Sequence, residues 1–496
     1  MSESGADSAA QKDIAALAKG GRTNFFGFLL RLVARIPFLF IASRLYGAAA
    51  MGRFASALVM VEFAGMLATL GQKRGLAQRL AEEREHPANA VADALLVASI
   101  LASIATVLLL LFPAAMFPKG RYDQADLWLV ASVWILAMGD LALAALAFRF
   151  DVAATVRARA VVEPWALSLS AGALYFVYPS AGLPLAYLIS VAAATAVALY
   201  ALVRAYGLPQ AWVPHPGRLI PLIARNLPLA GADAVEWGTR KLDVFILRFF
   251  VGDAPLGIYF FAQQFASLPQ KLKTSFEPVL GPVITRNVID HNYAAIARQV
   301  CQVGFWITAA QAGIALALAI PASGLMGLGG PDFVQGAGAL VLLLLAEVVA
   351  ATAVVSEAAL VYLARYRNLV ASLVTILVQA GLTVAGIRLV AGFGYGPGWQ
   401  VAAAAGALTL ALATASILKS LLLSRILRER INNWRGALVW AVVPAAAVGL
   451  GIKLLLPEWA SMLVGIPAII VVYVWLIWRL GFGPEDRVLF RKQVEG

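Results

Sequence analysis

The chain has few charged residues: Asp, Glu, Lys and Arg make up 13% of its 496 residues, against 61% that are hydrophobic. Soluble domains carry about 25% charged residues, so this deficit excludes an ordinary soluble protein. The mean hydropathy of +0.82 predicts a polytopic membrane protein, with chain segments that cross the bilayer repeatedly.

Cysteine and histidine are also scarce. Cys301 is the single cysteine, which excludes a disulfide within the chain and argues against a metal cluster. The three histidines, His86, His215 and His291, are widely separated in predicted loops. No Gly-x-x-x-x-Gly-Lys-Ser/Thr run is present, so hydrolysis of ATP by a P-loop is excluded. We therefore expect no metal and no cofactor.

Long polar segments are missing as well. The longest are residues 72–90, residues 205–226 and the tail after Arg479, and none is long enough to fold as a domain. A membrane glycan polymerase or ligase would need a sizeable polar loop with carboxylates, so we expect a protein that is not an enzyme. The first twenty residues lack the apolar core and cleavage site of a signal peptide.

Apolar segments long enough to cross ~30 Å of hydrocarbon fill most of the chain. They predict an all-α membrane protein with about fourteen spans. The predicted spans are residues 25–43, 55–70, 91–112, 127–148, 161–178, 184–203, 227–250, 257–283, 300–320, 338–362, 369–390, 401–423, 437–456 and 462–478.

Basic residues favour one set of loops by roughly four to one, which the positive-inside rule assigns to the cytoplasm. With an even number of spans, both termini are then predicted to be cytoplasmic. The net charge of +12 is explained by this orientation and by contact with anionic lipids, and does not indicate nucleic-acid binding.

An internal repeat is suggested by two similar links, each following a span. Gly47 and Gly52 after span one correspond to Gly252 and Gly257 after span seven at a constant offset of 205 residues. The repeat predicts two six-span lobes, with a binding site at their interface. The predicted divisions are a cytoplasmic segment 1–22, an N-lobe 23–204, a linker 205–226, a C-lobe 227–423, a loop 424–436, a helix pair 437–478 and a cytoplasmic tail 479–496.

Span seven carries too many charges for a helix that touches only lipid: Asp233, Glu236, Arg240, Lys241, Asp243 and Arg248. On a helix, Asp233, Glu236, Arg240 and Asp243 fall within an arc of roughly 80°. A charge at the bilayer centre costs at least ~2.5 kcal/mol, so such a stripe points to a functional site. The alternative is an ion-paired contact between helices.

Span one has a basic face with no acid on the same helix. Asn24, Arg31 and Arg35 lie within roughly 40° of each other around the helix axis, and the planar guanidinium fork suits a phosphate group. In span eight we place Lys271 in the same cavity. Glu62 in span two is either the partner of an arginine or a carrier of protons or sodium, and the partner role is the commoner use of such acids.

Short glycine-containing motifs give the chain a family resemblance. They are Arg44-Leu45-Tyr46-Gly47 with Gly52-Arg53-Phe54, Thr69-Leu70-Gly71 with Arg74-Gly75, and Asp243 with Gly252 and Gly257-Ile258-Tyr259. With these motifs and this span count, the chain resembles the Wzx-like polysaccharide flippases of the multidrug/oligosaccharidyl-lipid/polysaccharide (MOP) exporter superfamily.

The resemblance implies a multi-pass protein of the bacterial inner membrane. It would flip an undecaprenyl-diphosphate-linked oligosaccharide to the periplasmic leaflet by alternating access, for synthesis of a surface polysaccharide such as lipopolysaccharide or exopolysaccharide. Implied partners are this substrate, membrane lipids, and a polymerase with export machinery. The family's cationic cavity corresponds here to Arg31, Arg35, Arg240 and Lys271, while Asp233, Glu236 and Asp243 reduce its positive charge.

Two other classes stay open. A cation-coupled multidrug antiporter of the same superfamily would need a lone acid and few cavity arginines, and Arg31 with Arg35 argues against it. A membrane glycan polymerase or ligase would need the polar loops that this chain lacks.

Overall fold

In the computed structural model, the described residues are 34–82, 86–149, 151–274, 284, 287–290, 292–483, 486 and 487. Every long element among them is a helix and none is a strand, which confirms the predicted all-α fold. Eleven of the described helical segments are long and apolar enough to cross a membrane. Predicted span one is described only from Ala34 onward, span seven is a helix with many charges, and span eight is described only to Thr274.

The helices follow one another with short connections. Their bounds are α1 Gly47–Ala68, α2 Gln72–Glu82, α3 Pro87–Leu111, α4 Ala131–Phe148, α5 Glu163–Val177, α6 Gly182–Tyr206, α7 Pro216–Phe250, α8 Asp253–Thr274, α9 Tyr293–Ala319, α10 Ala337–Leu363, α11 Arg365–Gly392, α12 Pro397–Leu427, α13 Gly436–Leu455 and α14 Glu458–Leu476. The π-helical turns Ala42–Tyr46 and Val156–Val162 lead into α1 and α5, and the turn Ile477–Gly481 follows α14.

Local sequence explains several helix starts. Proline occupies the first position of α3, α7 and α12, where its missing N–H would be unpaired in any case. The Asn292 side chain accepts a hydrogen bond from the Ala295 N–H and so caps α9.

The chain forms two compact units, with one comprising Leu29–Phe260 and the other containing Phe261 onward. We call them the N-terminal and C-terminal units. The predicted N-lobe ends instead at residue 204, and the predicted C-lobe begins at residue 227. Helix α7 belongs to the N-terminal unit because its side chains pair with α1 and α2; the division by sequence repeat stays a prediction.

The N-terminal unit packs mainly through small residues. Buried side chains of α2, α3, α4 and α6 form one apolar cluster in which alanine predominates. Lipid supplies no hydrophobic driving force for helix association, so membrane helices depend on close packing, which small residues allow.

The tightest helix contact in this unit joins α1 to the start of α8. A Cβ on Gly52 would lie 1.7 Å from the Asp253 carbonyl oxygen, and one on Gly257 would lie 1.9 Å from the Ala48 carbonyl oxygen. Ala48 and Asp253 are separated by the same 205 residues as the two glycines. The close contact therefore joins equivalent positions of the predicted repeat.

The C-terminal unit is tied together at the end of α14. Asp486 accepts hydrogen bonds from Arg435 at 2.6 Å and from the Trp306 indole at 2.9 Å. Burial alone would raise the pKa of the Asp486 carboxyl, but the hydrogen bonds from Arg435, Trp306 and the Gly483 N–H hold that pKa below its usual range. The loop after α12 and the segment after α14 are thereby fixed to α9.

Candidate functional site

Eleven charged side chains of the N-terminal unit form two clusters and one separate pair, apart from the pairs Arg79–Asp93 and Arg225–Glu82. The Asp140 cluster contains Arg35, Lys73, Asp140, Arg159 and Glu163. The Glu236 cluster contains Arg74, Asp233, Glu236 and Arg240. The separate pair joins Lys241 Nζ to Glu62 Oε2 at 3.4 Å.

In the Asp140 cluster, two cations hold one aspartate. Lys73 contacts one oxygen of Asp140, and Arg159 contacts the other. Arg159 also donates through Nη1 to Glu163 Oε2 at 2.7 Å. It lies in the π-helical turn before α5, a form of helix that occurs frequently at functional sites.

Arg35 is the loosely held member of that cluster. Its Nη2 lies 3.7 Å from Glu163 Oε1, and 46% of its side chain is exposed. At that distance the contact is an ion pair and is too long for a good hydrogen bond. Arg159 holds the other oxygen of Glu163, and among the described residues the Arg35 guanidinium has no hydrogen-bond partner.

In the Glu236 cluster, one glutamate is shared by two arginines. Arg74 Nη2 lies 2.6 Å from Glu236 Oε2, and Arg240 Nη2 lies 3.0 Å from Glu236 Oε1. Arg74 Nε also pairs with Asp233 Oδ1 at 3.1 Å. The side chains of Arg74, Glu236 and Arg240 are each more than a third exposed, so a ligand can reach them.

The clusters and the pair together carry a small positive excess. Six cations, Arg35, Lys73, Arg74, Arg159, Arg240 and Lys241, face five carboxylates, Glu62, Asp140, Glu163, Asp233 and Glu236. Cations and acids alternate, and in the described part of the chain no group of three His, Cys, Asp or Glu side chains could hold a metal ion. The arrangement suits an anion that competes with the acids for the more exposed arginines.

The structure brings together some of the predicted site residues. Arg35, Arg240, Asp233, Glu236 and Glu62 all lie in the clusters or the pair described above.

Other predicted residues lie elsewhere. Asp243 is fully buried and accepts a hydrogen bond from the Tyr259 hydroxyl at 2.5 Å. Asn24 and Arg31 lie outside the described residues, and Lys271 lies in the last turn of α8, where its side chain is not described. The basic file of span one therefore stays a prediction at Arg31.

Sequence reasoning missed part of the site. From the sequence alone, we interpret Lys73, Arg74 and Arg159 as loop charges that orient the chain, and we assign no role to Glu163. The spacing of Arg159 and Glu163, four residues apart, was the available signal for a helical ion pair. Their link to Asp140 depends on tertiary packing and leaves no local pattern.

A protein family is related to this chain by sequence. The family model described as polysaccharide biosynthesis protein matches residues 23–288, more than half of the chain. No curated protein sequence matches it.

Several solved transporters have the same fold. The lipid II flippase MurJ, in an inward closed conformation, is similar with a TM-score of 0.69 and 12% identity over 91% of this chain and 97% of MurJ. An outward-facing multidrug resistance MATE family transporter of the MOP superfamily has a TM-score of 0.58 and 14% identity over 84% of this chain and 97% of the transporter.

A further MOP superfamily transporter, from Pyrococcus furiosus and described as having a binding pocket of reverse polarity, has a TM-score of 0.60 and 14% identity over 84% of this chain and 96% of that one. At such identities the likeness shows a shared fold. Together with the family match it confirms the resemblance predicted from the glycine motifs. The chain therefore belongs to the polysaccharide biosynthesis protein family and has the fold of the MOP superfamily of transporters.

Proposed function

We propose that this protein is a transporter that flips an undecaprenyl-diphosphate-linked oligosaccharide from the cytoplasmic to the periplasmic leaflet of the bacterial inner membrane. Alternating access moves the lipid, and the product feeds synthesis of a surface polysaccharide. Membership of the polysaccharide biosynthesis family supports the substrate class, and the MOP fold supports transport rather than an enzymatic reaction.

The observation that carries the proposal is the loosely held guanidinium of Arg35. It is half-exposed and lies 3.7 Å from a glutamate whose other oxygen is occupied by Arg159. An arginine fork with free donors in an apolar protein suits a planar pair of anionic oxygens. A diphosphate offers such oxygens, and the Asp140 cluster, with three cations and two acids, has one uncompensated positive charge to receive it.

The Glu236 cluster supplies a second anion-binding site, which the Glu236 carboxylate occupies before the substrate binds. Glu236 lies four residues before Arg240 on α7 and holds its guanidinium at 3.0 Å. An entering diphosphate replaces this carboxylate at Arg240. The free energy of diphosphate binding therefore differs between the state in which Glu236 and Arg240 are paired and the state in which they are apart. Such a difference is what a ligand needs to shift a conformational equilibrium.

A cation-coupled multidrug antiporter has the same fold but needs a carboxylate that can exchange cations. Glu62, for which a carrier role was the alternative to an ion pair, is paired with Lys241 at 3.4 Å. The polar acids Asp140, Glu163, Asp233 and Glu236 each have a basic partner too. These pairings favour the anionic substrate. A polymerase and export machinery are proposed partners on the grounds of the family alone.

We expect Arg35→Ala to abolish flipping of an undecaprenyl-diphosphate-linked oligosaccharide in reconstituted vesicles, because the diphosphate loses charge-assisted donors. Arg35→Lys keeps the charge without the fork and should restore part of the rate. The matched control is Arg225→Ala, which removes an exposed arginine whose ion-pair partner in the described part of the chain is Glu82.

Three results would decide the matter. Loss of flipping in Arg35→Ala, with normal membrane levels and a normal Arg225→Ala rate, supports the proposal. Wild-type flipping by Arg35→Ala contradicts the anionic site. Efflux of cationic drugs by the wild-type protein, without any flipping, would support the antiporter instead.

A further inference from the structure

The first turn of α2 packs closely against α7 at two glycines. The chain turns between α1 and α2 at Leu70 and Gly71, whose φ angles are 51° and 68°. A Cβ on Gly71 would lie 2.5 Å from the Ala230 backbone nitrogen, and one on Gly75 would lie 2.0 Å from Asn226 Oδ1. A side chain at position 71 would meet the α7 backbone and one at position 75 would meet the Asn226 side chain, so the backbone of Arg74, between the two glycines, lies close against α7.

From that position Arg74 reaches two acids of α7. Its Nε pairs with Asp233 at 3.1 Å and its Nη2 pairs with Glu236 at 2.6 Å. The contact with Glu236 is shorter than the 3.0 Å that separates Glu236 from Arg240. Arg74 thus holds one oxygen of Glu236 firmly and leaves only the other oxygen for Arg240.

We propose that Arg74 is a positioning residue that keeps Arg240 available to an anionic ligand by competing for Glu236. The inference rests on the proposed function, because it concerns the arginine that would bind the substrate diphosphate. It adds Arg74, from helix α2, as the residue that sets the affinity of Arg240 for the diphosphate.

The physical reason lies in how one carboxylate divides between two guanidinium groups. A carboxylate with both oxygens free pairs with arginine through two parallel hydrogen bonds, which is the strongest form of this contact. While Arg74 occupies Oε2, Glu236 can give Arg240 only its Oε1. Without Arg74, Glu236 can close fully on Arg240, and an incoming diphosphate must displace a stronger partner.

Competition between Arg74 and Arg240 for Glu236 can be distinguished from an effect of net charge. Variants of the cluster that have the same formal charge separate these two explanations. Arg74, Asp233, Glu236 and Arg240 sum to zero formal charge, and Arg74→Gln makes that sum negative by one. Both Arg74→Gln/Glu236→Gln and Arg74→Gln/Asp233→Asn return it to zero. Only Glu236 contacts both arginines, because Asp233 pairs with Arg74.

The experiment is isothermal titration of the purified full chain in detergent with inorganic pyrophosphate, in buffer without divalent cations. We expect Arg74→Gln to bind roughly tenfold more weakly than the wild type, as expected when a close charged contact is removed. Arg74→Gln/Glu236→Gln should bind as tightly as the wild type. Arg74→Gln/Asp233→Asn should stay as weak as the single variant, and the control Arg225→Gln should bind normally.

The outcomes separate this inference from the proposed function. Wild-type affinity in Arg74→Gln, or equal rescue by both double variants, overturns the competition. Weak binding by both double variants overturns it as well and makes Arg74 a direct ligand of the anion. No pyrophosphate binding by the wild-type protein contradicts the proposed anionic site itself. If the single variant does not fold, the comparison of the two double variants decides alone.

Discussion

Glu236 is the residue on which the proposed switch depends. Its two oxygens contact arginines from two helices, and nearly half of its side chain is exposed. An ion pair buried only for stability would be enclosed, and removing both partners of such a pair is often tolerated. The pair of Glu236 and Arg240 is instead open to a ligand.

This distinction can be tested by the charge-neutral double variant Glu236→Gln with Arg240→Gln. We expect the protein to reach the membrane, because Arg74 keeps its contact with Asp233, and we expect flipping in reconstituted vesicles to be lost. The reason is that the diphosphate loses one of its two arginine stations. Flipping at the wild-type rate would show that the pair is only structural. Membrane levels, measured in parallel, exclude loss of the protein as the cause.

At the scale of the elements, the crossing of α1 and α8 depends on backbone contact without side chains. Gly52 and Gly257 each leave no room for a methyl group beside the opposite helix. Both positions belong to the glycine motifs that carry the family resemblance. The close packing of α1 against α8 therefore explains why these motifs contain glycine.

Gly52→Ala should lower the midpoint of thermal unfolding of the purified protein, because a methyl group 1.7 Å from the Asp253 oxygen forces the helices apart. Overpacking of this kind costs about 1–3 kcal/mol. The matched control is Gly231→Ala in α7, where, beyond the backbone of α7 itself, no atom of the described residues lies within 4 Å of the added Cβ. Equal midpoints for the two variants would contradict the close crossing.

At the scale of the whole molecule, orientation in the membrane follows from the distribution of basic residues, which favour one side by roughly four to one. We predict that both termini are cytoplasmic. A reporter enzyme active only in the periplasm should be silent when fused after Gly496 or inserted within residues 72–90. A reporter within residues 118–123, in a loop predicted to lie on the opposite side, should be active. Strong activity at Gly496 would overturn the predicted topology.

The sequence by itself determined the fold class, the positions of most membrane helices and the family. Length and hydropathy suffice for these, because a membrane span must satisfy its backbone hydrogen bonds within one apolar helix. Spans three to six and nine to fourteen each correspond to a helix long and apolar enough to cross a membrane. The charges of α7 also marked Asp233, Glu236 and Arg240 before their partners were known.

Only the tertiary structure decided which charges meet. Arg74 and Lys73 are adjacent in the sequence, yet Arg74 pairs with α7 while Lys73 pairs with Asp140 of α4. Asp243, on the same predicted stripe as Glu236, is buried against Tyr259 instead. Helical periodicity gives the direction of a side chain around its own axis, but the partner depends on which helix packs there. That choice is made by long-range packing, as at the glycine contacts of α2 with α7.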